Sequence, residues 1–176
     1  MDLNDLAEQI HAWNCHIGWW DDPDQCLLTK IQLISTEISE ATEGERKNLM
    51  DDKIPTRKMG EVELADALIR TLDLGARLDM LLPERDDDIG GFCSPENNIY
   101  VQHFGIGVHI TRFGIDYYDD DPFLPETYSD LVQSIICVAK NQGYDIIGAA
   151  LEKMEYNKIR SDHKRENREK ENGKKV

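Results

Sequence analysis

Apolar residues recur at spacings of three and four along the first half of this chain, and this period constrains the fold more than any other feature. Because an α-helix turns once in 3.6 residues, such residues line one side of a helix and can be buried together. Leu3, Leu6, Ile10, Trp13 and Ile17 show the spacing in the first segment, where we expect Trp13 in the core. The pattern predicts three helices, over residues 3 to about 17, Asp22 to about Glu45, and Met59 to about Leu82.

Prolines and turn residues indicate where these helices begin and end. Asp22-Pro23-Asp24-Gln25 is a close variant of a capping box with proline at the first helical position, which predicts the start of the second helix. The polar segment around Pro55 is expected to be a loop, and Pro83 is expected to end the third helix.

The second half of the chain has a weaker pattern. Residues 99–118 are rich in β-branched and aromatic side chains and are interrupted by Gly105, Gly107 and Gly114. Such a composition favours a short β-hairpin or an irregular arm, and we expect one there. Helical spacing then resumes from about Tyr128 to Asn141 and from about Tyr144 to Arg160.

The pattern as a whole predicts the fold class. No internal repeat or second core is visible, and no apolar period follows in 161–176. We therefore predict one all-α domain, an antiparallel helix bundle over residues 1–160, with an inserted loop or β-hairpin arm at 83–127 and a charged flexible tail at 161–176.

The chain is strongly acidic. Its formal net charge is −15, and because 161–176 holds six Lys or Arg against four Asp or Glu, residues 1–160 carry −17. A field of that sign repels nucleic acid and anionic membranes, so we expect neither as a partner. An anionic substrate would need a cation at its binding site, whereas solubility alone is the simpler explanation of the acidity.

Cysteine usage and hydropathy indicate the compartment. The four cysteines lie far apart and form no C-x-x-C pair, which argues against a zinc site and against a disulfide framework. The N-terminal segment lacks a signal-peptide pattern, and no apolar run reaches the length that crosses a bilayer. We expect a cytoplasmic protein, in the cytoplasm of the host cell if it is encoded by a phage.

Two of the predicted helices each carry two carboxylates three residues apart. Glu37 and Glu40 lie on the second helix, and Glu63 and Asp66 lie on the third. Residues three apart share a helix face, so an antiparallel helix pair can bring all four acids together. They would repel one another unless a hard divalent cation such as Mg²⁺ or Mn²⁺ lay between them. One such pair is usually a solvated helix surface, but two pairs on neighbouring helices favour a site.

Four segments in this order resemble a known family. KIQLISTEISEA and EVELADALIRTLD are similar to the E-x-x-E and E-x-x-D motifs of the MazG-like and dimeric dUTPase group of all-α nucleoside triphosphate pyrophosphatases. IHAWNCHIGWW is similar to the first helix of that family, and LEKMEYNKIR is similar to its last helix. The resemblance covers about residues 3–82 and 144–160 and leaves 83–127 outside.

The resemblance implies a Mg²⁺-dependent hydrolase, with Mn²⁺ as a substitute, that converts a nucleoside triphosphate substrate to monophosphate and pyrophosphate. It also implies a homodimer or homotetramer. The residues that it assigns are the metal ligands and catalytic acids Glu37, Glu40, Glu63 and Asp66 and the phosphate contacts Lys153, Asn157 and Arg160. By position, Lys30 is a further candidate phosphate contact, and Trp19 and Trp20 are candidates for stacking on the base.

The residues themselves leave some of these roles open. Lys153, Asn157 and Arg160 share one helical face, as phosphate contacts require, but a basic last turn also suits the helix dipole. Lys30 can equally be a solvated lysine. A tryptophan on an amphipathic stripe is more often part of a core than of a base-binding site.

Two positions qualify the resemblance. Thr36 stands where many family members have a further Glu, which leaves the number of metal ions open. Asp73 is either an additional ligand or the ion-pair partner of Arg70. The preferred base is also open, because the resemblance allows broad specificity, dUTP or dCTP, or the dGTP-selective MazZ-type activity of phages.

Two other functions compete with hydrolysis. A di-iron carboxylate bundle needs E-x-x-H motifs on two helices, and only Glu8 and His11 have that spacing. A non-enzymatic acidic helical protein could bind a partner or mimic DNA through its charge. Such a protein would not need the basic face around Lys153, and it would bind its partner in the presence of EDTA.

Overall fold

The computed structural model describes residues 2–83 and 90–168, and the regular elements within these ranges are all helices. The prediction of an all-α fold is therefore confirmed for the described residues. The helices are α1 (Leu3–His16), α2 (Leu27–Lys47), α3 (Met59–Arg77), α4 (Ile99–Tyr118), α5 (Leu124–Asn141), α6 (Ile146–Ile159) and α7 (Arg165–Arg168), with 3-10 turns at Gly91–Cys93 and Ser161–His163.

α3 lies at the centre of the bundle because its sequence is apolar around most of its circumference. Leu64, Leu68 and Leu72 are fully buried, and the equally buried Ala65 and Ala67 let neighbouring helices approach closely. α1, α2, α5 and α6 all pack against it. An acid on α3 is therefore either enclosed by a neighbouring helix or placed at the edge of a cleft.

α2 packs against α3 in the antiparallel direction that the short connection predicts. Near the connection, Gly60 lies against the side chain of Glu45, and farther along the two helices Arg70 contacts Glu37. Glu37 and Glu40 on α2 thus lie level with the acids in the first half of α3.

α6 runs parallel to α3, so the prediction of an antiparallel bundle is wrong for this pair. The Asp145 backbone N–H donates to the Glu61 carboxylate, and farther along both helices Lys153 contacts Asp66. Because α6 runs in this direction, its basic last turns lie beside the acids of α3 rather than at the opposite end of the bundle.

Residues 99–118 form α4, so the expectation of a β-hairpin or irregular arm is wrong. The Asn98 side chain caps the helix by accepting hydrogen bonds from two backbone N–H groups of the first turn, both at 3.1 Å. Gly105 lies inside the helix and does not mark a turn. Glycine is needed here for packing, because a Cβ at this position would lie only 2.6 Å from the Cβ of Phe92. α4 packs on α2 and α5, and part of the predicted insertion therefore contributes to the common core through Ile106, Ile110 and Phe113.

Several helix boundaries differ from the predicted ones. α2 begins at Leu27, because the Asp22 carboxylate accepts a hydrogen bond from a backbone N–H two residues later and holds a turn there. α3 ends at Arg77 rather than near Leu82. Asp79 has a φ of 54°, which is incompatible with a right-handed helix. α5 begins earlier than predicted, at Leu124, and α6 spans Ile146–Ile159 rather than 144–160.

Residues 161–168 form two short helical turns that fold back on the bundle, in contrast to the flexible tail that was expected. His163 is only 9% exposed, and its ring lies 5.8 Å from that of Trp19. Arg165 forms an ion pair with Asp21 and donates to the carbonyl of His16. The rest of the predicted tail, 169–176, lies outside the described residues.

Trp13 does not join the core as predicted. It is half-buried at the surface of α1, where its ring lies 5.6 Å from that of His16 and the Lys158 ammonium lies 5.8 Å above it. Within residues 2–83 and 90–168, none of the helices combines the length and the apolar composition that a transmembrane helix requires.

Candidate active site

A cleft of about 310 Å³ opens between α2, α3 and α6, and the turn after α6 lies along one side of it. It lies where the antiparallel pair α2 and α3 meets the basic end of α6. All ten residues singled out from the sequence line this cleft: Lys30, Glu37 and Glu40 of α2, Glu63 and Asp66 of α3, Lys153 and Asn157 of α6, Arg160, Trp19 and Trp20.

Three carboxylates meet in the depth of the cleft. Glu37, Glu63 and Asp66 each offer an oxygen, and these three oxygens lie within 4.8 Å of one another. Glu37 and Glu63 are only 6% and 4% exposed. Glu40 lines the same cleft from its exposed edge but lies outside the trio. Three acids of the four thus share a point, and the fourth lies nearer to solvent.

Two cations partly compensate the trio. Arg70 donates through Nε to Oε1 of Glu37 at 2.6 Å, and Lys153 Nζ lies 2.7 Å from Oδ2 of Asp66. The partner of Arg70 is therefore Glu37, so of the two alternatives for Asp73, the one that pairs it with Arg70 is wrong. With both acids paired, one formal negative charge of the trio remains uncompensated by direct contact.

That uncompensated charge belongs to Glu63. Within residues 2–83 and 90–168, no hydrogen bond or ion pair reaches its carboxylate. Burial, followed by repulsion from Asp66, raises the pKa of Glu63 from 4.5 to about 8. A buried acid in this environment is either protonated near neutral pH or ionised with a cation beside it.

Lys153 lies inside the acidic cluster rather than at the cleft mouth. Its side chain is 3% exposed. Burial is the largest single influence and lowers its pKa, but the attraction and hydrogen bond of Asp66, together with the attraction of Glu63 and Asp51, outweigh burial and raise the pKa of the ammonium. Lys153 therefore stays charged and neutralises Asp66 in the depth of the cleft.

Lys30 fixes the aromatic side of the cleft. Its ammonium lies 5.0 Å from the ring centroid of Trp19 and 4.9 Å from that of Trp20, and it donates to the Trp19 carbonyl at 3.4 Å. Trp19 is 8% exposed, so little of its ring is accessible to a ligand. Trp20 is half-buried and is the more accessible of the two indoles.

Asp73 organises the side chains behind Trp20. Its carboxylate accepts hydrogen bonds from Nε1 of Trp20 at 3.0 Å, from Nδ2 of Asn14 at 2.7 Å, and lies 2.7 Å from Nδ1 of His11. Asp73 lines the cleft, but it lies outside the acidic trio. These contacts hold Trp20 in place, which together with Trp19 forms the aromatic wall of the cleft.

Three further polar residues of the cleft were not identified from the sequence. Lys53 enters from the α2–α3 loop, which is held because the buried Asp51 carboxylate accepts hydrogen bonds from the Lys53 and Ile54 N–H groups at 2.9 and 2.6 Å. His163 enters from a segment without apolar period, and Asn14 is a polar residue on α1. No periodic signal marks these residues, because each reaches the cleft only through tertiary packing.

Comparisons with protein-family models, with curated proteins and with solved structures found no match to this chain. The function of the cleft must therefore be inferred from its own residues.

Proposed function

We propose that this chain is a Mg²⁺-dependent hydrolase that splits nucleoside triphosphates into monophosphate and pyrophosphate. The observation that carries the proposal is the enclosed trio Glu37, Glu63 and Asp66, in which Glu63 is buried without a direct partner. The resemblance of the acidic motifs to those of the MazG-like pyrophosphatases supports the same reaction.

The chemistry of the donor set fits a hard divalent cation. Three carboxylate oxygens within 4.8 Å of one another provide the oxygen-only environment that Mg²⁺ and Mn²⁺ prefer. Glu37, Glu63 and Asp66 would hold the ion. Glu40 would add a ligand from the exposed edge of the cleft. A bound Mg²⁺ supplies positive charge for the phosphates and acidifies the water that it carries.

Cations on the cleft wall suit a triphosphate. Lys30, Lys53 and Arg160 line the cleft together with the enclosed Lys153, whereas the chain as a whole carries −15. Positive side chains concentrated in one cleft of an acidic protein favour an anionic ligand at that position. The volume of about 310 Å³ lies at the lower end of what small-ligand sites occupy.

The exposed acid is the group best suited to direct the water. In the proposed reaction Glu40 orients a water molecule towards the α-phosphorus and accepts its proton as the new P–O bond forms. The bond between the α-phosphorus and its bridging oxygen then breaks, and pyrophosphate leaves with that oxygen. Arg160 and Lys30 hold the charge that develops on the leaving pyrophosphate.

The test is pyrophosphate release from each of the four ribonucleoside triphosphates, the four deoxyribonucleoside triphosphates of DNA, and dUTP, with Mg²⁺ and with EDTA. We expect release with Mg²⁺ only, and a loss of at least about 100-fold in Glu40→Gln and Glu63→Gln. Glu155→Gln is the matched control, because Glu155 is an exposed acid of α6 that pairs with Lys158 outside the cleft. Full activity of Glu63→Gln, or no release from any of these nucleotides, would refute the proposal. A dGTP preference in this assay would support the MazZ-type assignment.

One observation favours the non-enzymatic alternative. The pairs Arg70–Glu37 and Lys153–Asp66 already neutralise two of the three enclosed acids, as a structural ion-pair network would. Such a network needs no metal. A melting temperature that is the same in Mg²⁺ and in EDTA, together with no pyrophosphate release, would favour this acidic binding protein over the hydrolase.

A further inference from the structure

The outer side of α4 carries an apolar stripe that the rest of the described chain does not cover. Tyr100, Phe104, Ile115 and Tyr118 are 47%, 62%, 53% and 75% exposed, and their spacing keeps them on one side of the helix. Phe92 packs edge-on against Phe104 with ring centroids 5.4 Å apart and is itself 51% exposed. Exposed apolar side chains of this size on one side of a helix favour an interaction surface.

A groove between α4 and α2 continues this stripe. It has a volume of about 660 Å³, and apolar atoms of Ile38, Val108 and Ile110 are among its lining. Gly107 also lines the groove, and a Cβ at this glycine would meet no atom within 4 Å. The middle of the stripe can therefore admit a close approach by another helix.

The two ends of the stripe have opposite charge. α2 and α4 are antiparallel, because Thr42 Oγ1 lies 2.8 Å from Nδ1 of His103 while Ile31 packs near Gly114. The basic last turn of α2, Arg46 and Lys47, thus lies beside the N-terminal end of α4, and both cations share the single acid Glu43. The C-terminal end of α4 is acidic, with Asp116, Asp119, Asp120 and Asp121.

We propose that this face binds a second copy of the chain, with the two α4 helices antiparallel about a two-fold axis that passes between Val108 and Thr111. In that arrangement Phe104 packs on the partner's Ile115, and the partner's Phe104 packs on Ile115. Each basic end of α2 then faces the acidic end of the partner's α4. A self-complementary surface of this kind is what a two-fold dimer requires.

The charges favour a second copy over other occupants of the face. An anionic membrane would be repelled by the acidic end and by the net charge of −15. A partner of a single charge sign would meet repulsion at one end of the stripe, whereas a second copy presents the opposite sign at both ends. The proposal concerns α4 and does not depend on the chemistry of the cleft.

The first test is the mass of the protein in solution, measured by sedimentation and by light scattering over a range of concentrations. We expect a dimer for the natural chain, and a dissociation constant raised by at least about 100-fold in Phe104→Glu, because each substitution occurs twice in the interface. Leu81→Glu is the matched control: Leu81 is 76% exposed and lies outside α4, so this variant should remain a dimer. Helix content measured by circular dichroism verifies the fold of both.

A monomer at roughly 100 µM, or a dimer that Phe104→Glu leaves unchanged, would overturn the proposal. A charge exchange tests the direction of pairing. Arg46→Glu with Lys47→Glu should weaken the dimer by about tenfold, and adding Asp119→Lys with Asp120→Lys should restore it. A failure of the second pair to restore the dimer would contradict the antiparallel arrangement.

A crosslink tests the position of the axis. In a chain with Cys15→Ser and Cys26→Ser, which removes the exposed native thiols, Thr111→Cys should form a disulfide-linked dimer under mild oxidation. Thr56→Cys is the control, because Thr56 is exposed but lies in the α2–α3 loop, outside α4. Equal crosslinking of both positions would overturn the assignment of the axis.

Discussion

The Lys153 ammonium lies 2.7 Å from the Asp66 carboxylate, and the two side chains are only 3% and 18% exposed. The contact joins α6 to α3 at the depth of the cleft and puts a fixed positive charge beside the three acids. The attraction within a buried charge pair adds little net stability. Removing one partner is strongly destabilising, however, because it leaves an unpaired charge in a buried site.

Lys153→Met should therefore destabilise the protein. We expect the free energy of unfolding in EDTA to fall by about 3 kcal/mol, because Asp66 loses its partner while Glu37 and Glu63 remain close. Urea titration measures the change. Mg²⁺ should recover part of the loss, since a divalent cation replaces the missing charge. Lys158→Met is the control, because Lys158 pairs with Glu155 at an exposed surface, and a change below roughly 0.5 kcal/mol is expected.

The raised pKa of Glu63 predicts how the free energy of unfolding depends on pH in the absence of metal. Its pKa in the folded protein is about 8 because of burial and the neighbouring Asp66, against an ordinary value of 4.5. The folded state thus binds a proton that the unfolded state releases, so stability falls as pH rises from about 4.5 to about 8. Thermal melts in EDTA should show a lower melting temperature at about pH 8.5 than at about pH 6. In Glu63→Gln this difference should shrink, and an equal slope in both proteins would contradict the assignment.

Mg²⁺ should reverse that dependence. A metal ion binds the ionised carboxylate, so its binding releases the proton of Glu63 and its affinity rises as pH approaches about 8. Calorimetric titration in two buffers with different ionisation enthalpies measures the proton release directly. If Mg²⁺ affinity is independent of pH between about 6 and 8, Glu63 is not among the ligands.

Asp73→Ala should loosen the aromatic wall of the cleft. The substitution removes the acceptor for Trp20, Asn14 and His11, and we expect a loss of about 2–3 kcal/mol in the free energy of unfolding. Tryptophan fluorescence should also change, because the Trp20 indole loses its hydrogen bond. Asp73→Asn keeps one acceptor oxygen and should lose less. Equal losses in the two variants would contradict a hydrogen-bonding role.

Gly75 should be the least replaceable glycine of α3. A Cβ there would lie 2.1 Å from the hydroxyl oxygen of Tyr128, whose side chain is 1% exposed and cannot move aside. Gly75→Ala should therefore destabilise by about 2–3 kcal/mol, as measured by urea titration. Gly114→Ala is the matched control within α4, where the nearest atom is at 3.6 Å. There alanine should stabilise by about 0.5 kcal/mol through its higher helix propensity. Similar changes in both would contradict the packing argument.

The part of the fold that follows from local pattern was predictable. The stripes of α1, α2 and α3 and the spacing of Glu37 with Glu40 and of Glu63 with Asp66 can be seen in the chain, because a helix converts sequence spacing directly into a shared face. The boundaries were less predictable. Asp22 and Pro23 are residue types typical of a helix start. Here, however, the Asp22 carboxylate accepts a hydrogen bond from the Asp24 N–H within a turn.

α4 shows where local pattern misleads. Its β-branched and aromatic residues and its glycines have strand and turn preferences, yet the segment is helical from Ile99 to Tyr118. Packing of Ile106, Ile110 and Phe113 against α2 and α5 outweighs propensities that differ by less than about 1 kcal/mol per residue.

By itself, the sequence determined α1, α2, α3, α5 and α6 and the faces on which their acids and bases lie, because these depend on contacts within a few residues. Only the tertiary structure decided which faces meet. The parallel direction of α6 brings Lys153 to Asp66, the packing of α2 on α3 pairs Arg70 with Glu37 rather than with Asp73, and the path of the loop brings Lys53 into the cleft. These contacts join residues far apart along the chain, and no short-range period records which distant segments pack together.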